Sequence, residues 1–373
     1  MALILTFLGK GGTGRTTMAV ATAKRLAQQG KRVLLATQDN SPALSLLLGE
    51  TVGSQPTEVA PSLKATYLKS AELLEQSWEE LKTLEAQYVR TPFFKNVYGQ
   101  ELGVLPGMDS ALALNALRQY EGSREYDVII YDGVASQETL RMLGMPEVLS
   151  WYVRRFRQVF VESDFWKAVS PFAQPVSSAV LSVDLSANNF DQPTNQVNNI
   201  LEEGKAAVAD PNRVVAYLVT TPDPIAIATA RYLWGSAQQV CLTVGGVILN
   251  QANLTDEITQ IFLTDEITQA FDPLKVDSVP QLSSQDWQPL MSALPDFSQA
   301  SSAPRSITID VAKRQVSLFF PGFDKKQIKL TQYGPEVTIE AGDQRRNIFL
   351  PDPLRGKPVT GAKFQNNYLI ISF

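Results

Sequence analysis

Residues 2–37 constrain this chain more than any other stretch. Ala2–Leu8 is a short continuous apolar run stopped by Gly9, the pattern of a strand buried on both faces. The glycine-rich segment "GKGGTGRTT" (9–17) follows, and then "RTTMAVATAKRLAQQGKR", whose apolar residues recur at helical spacing up to Gly30, a good helix C-cap. "RVLLAT" then reads as a second strand. A strand–loop–helix–strand unit of this kind predicts a parallel sheet covered by helices. "YDVIIYDG" (126–133), "VVAYLVTTP" (214–222) and "VGGVILNQ" (244–251) supply further central strands, and "YLKSAELLEQSWEELKTLEAQYV" (67–89) reads as helix.

Beyond "DFSQASSAPRS" (296–306), a polar stretch expected to act as a linker, helical periodicity stops. Short alternating runs broken by Gly, Pro and Asp predict a small all-β sandwich. The expected organisation is therefore an α/β, mostly parallel-sheet domain with helical insertions (1–298), a linker (299–306) and a β-sandwich (307–373). The heptapeptide "LTDEITQ" occurs at 254–260 and again at 263–269. A nine-residue offset turns a helix by about 900°, so the copies face opposite sides, and the repeat is assigned no function.

Composition removes several chemistries. The 373 residues include one cysteine, Cys241, and no histidine. A disulfide within the chain, a zinc finger, a Ser–His or Cys–His nucleophile and a three-thiol arsenite site are thereby excluded within one chain. What remains is carboxylates, hydroxyls, backbone amides and an oxygen-held metal. The net charge of −5 and the lack of a long Lys/Arg run argue against nucleic acid as partner. No run of about 18 apolar residues is present, so no stable membrane insertion is expected, and a cytoplasmic location is.

The glycine-rich segment has the chemistry of a phosphate loop: glycines let successive N–H groups face oxygens, and the following helix adds positive potential. Gly9, Gly11, Gly12 and Gly14 supply the backbone and Thr16 a hydroxyl suited to Mg²⁺. Arg15 stands where such loops carry lysine, and Lys10 is an additional early lysine.

With Lys10, the loop resembles the deviant "KGGxGKT" form of the ArsA-type ATPases, the arsenical-pump and tail-anchored-protein-targeting family. The likeness continues. "LLATQDNSPALSLLLG" (34–49) resembles the family's switch I and "DGVASQETLRMLGMP" (132–146) its switch II, while "LPGMDSALAL" (105–114) resembles its "PGxDE" element with Ser110 in place of glutamate. "LNQ" (249–251) and "VPQLSSQDWQPL" (279–290) lie where the family builds its adenine pocket.

The resemblance implies ATP and Mg as ligands, with Gly11, Gly12, Thr13, Gly14, Arg15, Thr16 and Thr17 around the phosphates and Asn250 and Pro280 at the base. It implies Mg²⁺ on Thr16 and, through water, on Asp132. Asp39 would position the attacking water, and Lys10 would reach a partner's nucleotide across a homodimer. Residues 67–120 and 147–208 would form the helical part that holds hydrophobic clients. Departures are Arg15, Pro42 and Glu138 for the two switch histidines, Gln137 for a glycine, and no dimer-clamping CxxC. "FPGFDKKQIKL" and "AKFQNNYLIISF" resemble the α-crystallin domain of small heat-shock proteins, which matches the ArsA subgroup carrying such a domain.

The implied function is that of a nucleotide-switched targeting factor or chaperone with ATPase activity. The alternative is a nucleotide-binding holdase with negligible hydrolysis. An arsenite-pump subunit is disfavoured by the missing thiols.

Overall fold

The computed structural model describes residues 1–76, 107–162, 191–250, 265–282 and 286–373. The strands β1 (Leu3–Leu8), β2 (Val33–Thr37), β3 (Thr57–Ala60), β4 (Leu63–Tyr67), β5 (Val128–Asp132), β6 (Val214–Thr220), β7 (Thr243–Asn250) and β8 (Val276–Val279) form one sheet of eight. Their order is β3-β4-β2-β5-β1-β6-β7-β8, and every pairing is parallel except β3 with β4. The five strands expected from the sequence are the continuous apolar runs; β2, β5 and β6 are buried throughout. The edge strands β3 and β8, and β4 beside β3, were not anticipated; β3 and β8 are four residues long and carry exposed polar positions.

The helices are α1 (Arg15–Gln28), α2 (Ala43–Leu48), α3 (Met108–Ser123), α4 (Ser136–Glu162), α5 (Asp191–Ala209), α6 (Pro224–Gln239) and α7 (Gln288–Ala293). Separate apolar clusters cover the two faces of the sheet. Helices α4 and α5 pack where Gly204 leaves room for Pro146: a Cβ there would stand 3.0 Å from the proline ring.

Two expectations are corrected. The helix expected over 67–89 starts at residue 70, since Tyr67 closes β4, and its part beyond 76 lies outside the described residues. The first copy of the heptapeptide repeat also lies outside them. The stretch expected as a linker contains a 3-10 helix, Phe297–Ser302, packed on the sheet. Phe297 is buried and meets Tyr217 edge-on at 4.8 Å. One buried aromatic outweighs the polar composition that suggested a free connection.

Residues 307–373 form two antiparallel sheets around a shared apolar core, the expected sandwich. Strands β9 (Ile307–Asp310), β10 (Gln315–Phe319), β14 (Gly361–Gln365) and β15 (Tyr368–Ser372) make one sheet, and β11 (Ile328–Tyr333), β12 (Glu336–Ala341) and β13 (Gln344–Phe349) the other. Asn366 and Asn367, at φ 51° and 62°, make the tight turn joining β14 to β15.

Phe297→Ala is expected to lower unfolding stability by about 3 kcal/mol, the usual cost of truncating a buried phenylalanine. Denaturant unfolding followed by tryptophan fluorescence measures it; a loss below about 1 kcal/mol would mean that the 297–302 segment is not anchored.

Candidate functional site

The loop after β1 emerges at the carboxyl edge of the sheet, between the ends of β5 and β6. Its first glycine is fixed on two sides. A Cβ on Gly9 would strike the Val219 carbonyl of β6, and the Gly9 N–H donates to Ser136 Oγ at 2.9 Å while that hydroxyl donates back to the Gly9 carbonyl at 2.9 Å. Gly14 adopts φ 96° at the N-cap of α1, so the chain can turn into the helix with its N–H groups facing the loop. Thr13 is buried and donates its hydroxyl to the Lys10 carbonyl at 2.9 Å. Gly11 and Gly12 are exposed, with open space where side chains would stand. The result is a backbone concavity that an anion can enter.

Behind it lies Asp132, the last residue of β5 and only 4% exposed. Thr16 Oγ1 donates to Asp132 Oδ2 at 2.9 Å. Thr37, closing β2, donates to the Asp132 carbonyl at 3.0 Å and itself receives the Asp39 N–H at 3.1 Å. Burial pushes the Asp132 carboxyl above its ordinary pKa; the Thr16 hydroxyl and the Arg15 charge oppose that shift, and the nearby Asp39 charge reinforces it. Asp39 accepts the Ser41 N–H at 2.9 Å, an Asx turn opening the switch I segment.

Two basic residues make contacts within the chain. Arg15, expected on phosphate oxygens, donates to the carbonyls of Gly133 at 3.1 Å and Val134 at 2.9 Å, so it ties α1 to the start of the switch II segment. Lys10 stands 3.8 Å from Asp223, the side-chain N-cap of α6, with both side chains more than two-fifths exposed. Such a pair is worth about 1 kcal/mol or less and yields easily to a stronger anion.

Asn250, ending β7, donates Nδ2 to the Thr13 carbonyl at 3.0 Å, while its buried Oδ1 has no hydrogen-bond partner among the described residues. A buried acceptor left open beside the loop fits a ligand that brings a donor, as an adenine amino group does. Thr17 is half-buried in the first turn of α1, and Pro280 is exposed just past β8. The chain therefore brings Lys10, the loop, Thr16, Asp39, Asp132 and Asn250 to one edge, while Pro280 marks the neighbouring strand end.

Among the described residues no cluster of three carboxylate, histidine or cysteine side chains could hold a metal alone. Mg²⁺ suits such a site nonetheless, because it keeps waters and takes substrate phosphates as ligands. Thr16 and Asp132 are the residues that fit it.

Sequence reasoning missed Asp223 and Ser136. The dipeptide Asp223-Pro224 was a usable signal, an N-cap followed by proline at the first helical position. Ser136 had none, since its partner is 127 residues away.

Comparison with known proteins adds two family matches. The model for anion-transporting ATPases matches residues 2–285, and that for the HSP20-like domain found in ArsA matches residues 312–373. A Chlorobaculum tepidum protein provisionally named an arsenical pump-driving ATPase is 26% identical, covering 99% of this chain and 95% of its own length. A similarly named Aquifex aeolicus protein is 23% identical over 99% of both chains. A Paramecium tetraurelia protein named ATPase ASNA1 homolog 1 is 23% identical, covering 67% of this chain and 74% of itself.

Asp132→Asn removes a charge that is costly to bury, and Thr16 can still donate to the amide oxygen. Because the folded pKa is raised, the native carboxylate opposes folding increasingly as pH rises past the ordinary aspartate value. At pH 7.5 without nucleotide the variant is expected to melt at or above the wild-type temperature, yet to lose at least a hundredfold in Mg-dependent turnover. Calorimetry and a phosphate-release assay check both; a lower melting temperature would mean that the carboxylate is a net stabiliser.

Proposed function

The chain belongs to the anion-transporting ATPase family, and on that premise we propose that it binds Mg-ATP at residues 9–17, hydrolyses it, and uses the cycle to hold and release hydrophobic client proteins in the cytoplasm. The observation that carries the nucleotide reading is the Thr16–Asp132 hydrogen bond beneath an open glycine loop. The loop amides and Lys10 bind phosphate oxygens, Thr13 and Gly14 hold the loop's shape, and Asn250 with Pro280 frames the base. Bound Mg²⁺ would offset phosphate charge. Thr16 and Asp132 are the residues that would hold it, the threonine hydroxyl directly and the carboxylate through water.

Asp39 orients the attacking water. Its turn lies at the carboxyl edge near enough to Asp132 to influence its titration, which supports that role. Positioning a nucleophile acts on turnover more than on affinity. The working unit is a homodimer in which Lys10, released from Asp223, reaches the partner's nucleotide; its exposure and weak ion pair support this. The second reading, a holdase without turnover, is favoured by one observation, that Arg15 is engaged with switch II carbonyls and not free for the phosphates.

For Asp39→Asn, ATP affinity is expected to stay within threefold of wild type while phosphate release falls at least tenfold. If wild type already releases phosphate no faster than the variant, the holdase reading replaces the enzymatic one.

The client reading rests on the named ASNA1-type relatives and on an apolar surface. Val148, Leu149 and Tyr152 are each at least 40% exposed on α4. Leu149 also borders a cavity of about 120 Å³ lined by Leu114, Leu117, Met145, Leu201 and Val208 of α3, α4 and α5. That volume accepts side chains of a client and not a whole helix. Much of 67–120 and 147–208 lies outside the described residues. Among the described residues no helix is long and apolar enough to cross a membrane. Leu149→Asp is expected to weaken capture of a fluorescent 20-residue Leu/Ala helical peptide at least fivefold with ATP affinity unchanged. Equal capture by both proteins would remove this surface from the client site.

A further inference from the structure

Helix α6 is gripped at both ends. At its start Asp223 accepts the N–H groups of Ile225 and Ala226 and faces Lys10 of the phosphate loop. At its end the Gln238 carbonyl, in the last turn, accepts the Cys241 N–H at 3.2 Å and also Nη1 of Arg346 of β13 at 3.2 Å. Arg346 also donates to Cys241 Sγ at 2.9 Å. It is 6% exposed, and among the described residues no carboxylate pairs with it. A buried guanidinium without a counter-charge is expensive, and the negative carbonyl end of a helix is what offsets it here.

The hairpin turn between β12 and β13 reaches the same helix and one more. Gln239 Nε2 donates to the Ala341 carbonyl at 2.7 Å, and the Asp343 N–H donates to Tyr232 Oη at 3.2 Å. Gly342, at φ 58°, lies so close that a Cβ would stand 2.6 Å from that hydroxyl. The Asp343 carboxylate pairs with Arg141 of α4, and Trp151 Nε1 of α4 donates to Glu336 of β12 at 2.9 Å. Helix α4 begins at Ser136, the residue bonded to Gly9. One hairpin thus contacts both helices whose first residues touch the phosphate loop. The 16 residues of α6 span about 24 Å, a rigid connection between the two ends.

We propose that Arg346 is a positioning residue for the nucleotide site. It fixes α6, and with the 341–344 turn α4, so that the β-sandwich sets how Lys10 and the switch II segment meet the nucleotide. This rests on the ATPase reading above.

The test uses the full chain with Arg346→Met, Arg346→Lys and Val337→Ala, the last a sandwich-core control. The expected result for Arg346→Met is a five- to tenfold lower kcat with KM for Mg-ATP within twofold. ADP-induced protection from hydrogen exchange in peptides covering 9–15 and 133–139 also falls. Arg346→Lys, which keeps a charged donor, recovers at least half of each. Val337→Ala lowers the melting temperature and leaves all three readouts at wild type. The proposal is overturned if Arg346→Met matches wild type in kcat and protection, or if Val337→Ala reproduces its losses. Should Arg346→Met not fold, Asp343→Ala at an exposed position is read in the same assays against the same outcomes. A wild type that binds nucleotide without turnover defeats the ATPase reading, and the ADP protection still decides the role of Arg346.

Discussion

The buried carboxylate of Asp132 is the point on which the nucleotide edge depends. It ends the central strand β5, takes the Thr16 hydroxyl from α1, and offers its carbonyl to Thr37 at the end of β2. A charge so placed has little water, so its neighbours must supply donors, and they fix three chain segments against one another. The loop, the switch I segment and the switch II segment are thereby held within hydrogen-bond reach of one another. The penalty shows as a carboxyl whose pKa is raised by burial. Structures that keep such a group at a functional edge give up stability for readiness.

Around this point the basic residues divide the work in an unusual way. A lysine at position 15 could extend only one compact charge; the arginine fork spans two successive carbonyls, Gly133 and Val134. That contact tethers α1 to the segment leading into α4. Lys10, the loop's other cation, pairs with Asp223, the cap of α6. Loop chemistry and helix placement are joined, which is why the sandwich, docked on α6 and α4, belongs to the account of the site.

Much of this was legible in the sequence. The central strands are unbroken apolar runs, and a buried parallel strand needs nothing else to be recognised. The loop's glycines and Thr16 were legible because phosphate binding needs backbone freedom and a hydroxyl at fixed spacing. The direction of Arg15 was not, because its acceptors lie 118 and 119 residues away and are main-chain atoms without sequence identity. Nor was the packed 297–302 helix: Phe297 finds Tyr217 only once the sheet exists, and Gly245 leaves space there for the Tyr217 ring and Ala300. Local pattern reveals elements, and the contacts that tune the site are set by which elements end side by side.

We propose that Arg15 acts chiefly by tying α1 to the switch II segment, through its bonds to the Gly133 and Val134 carbonyls. Equilibrium ATP binding and single-turnover hydrolysis of Arg15→Ala measure it most directly. Affinity within about threefold of wild type and a rate at least tenfold lower are expected, because the α1–switch II tether is gone while the loop amides and Lys10 remain. An affinity loss of a hundredfold or more with an unchanged rate would show a phosphate ligand and contradict it.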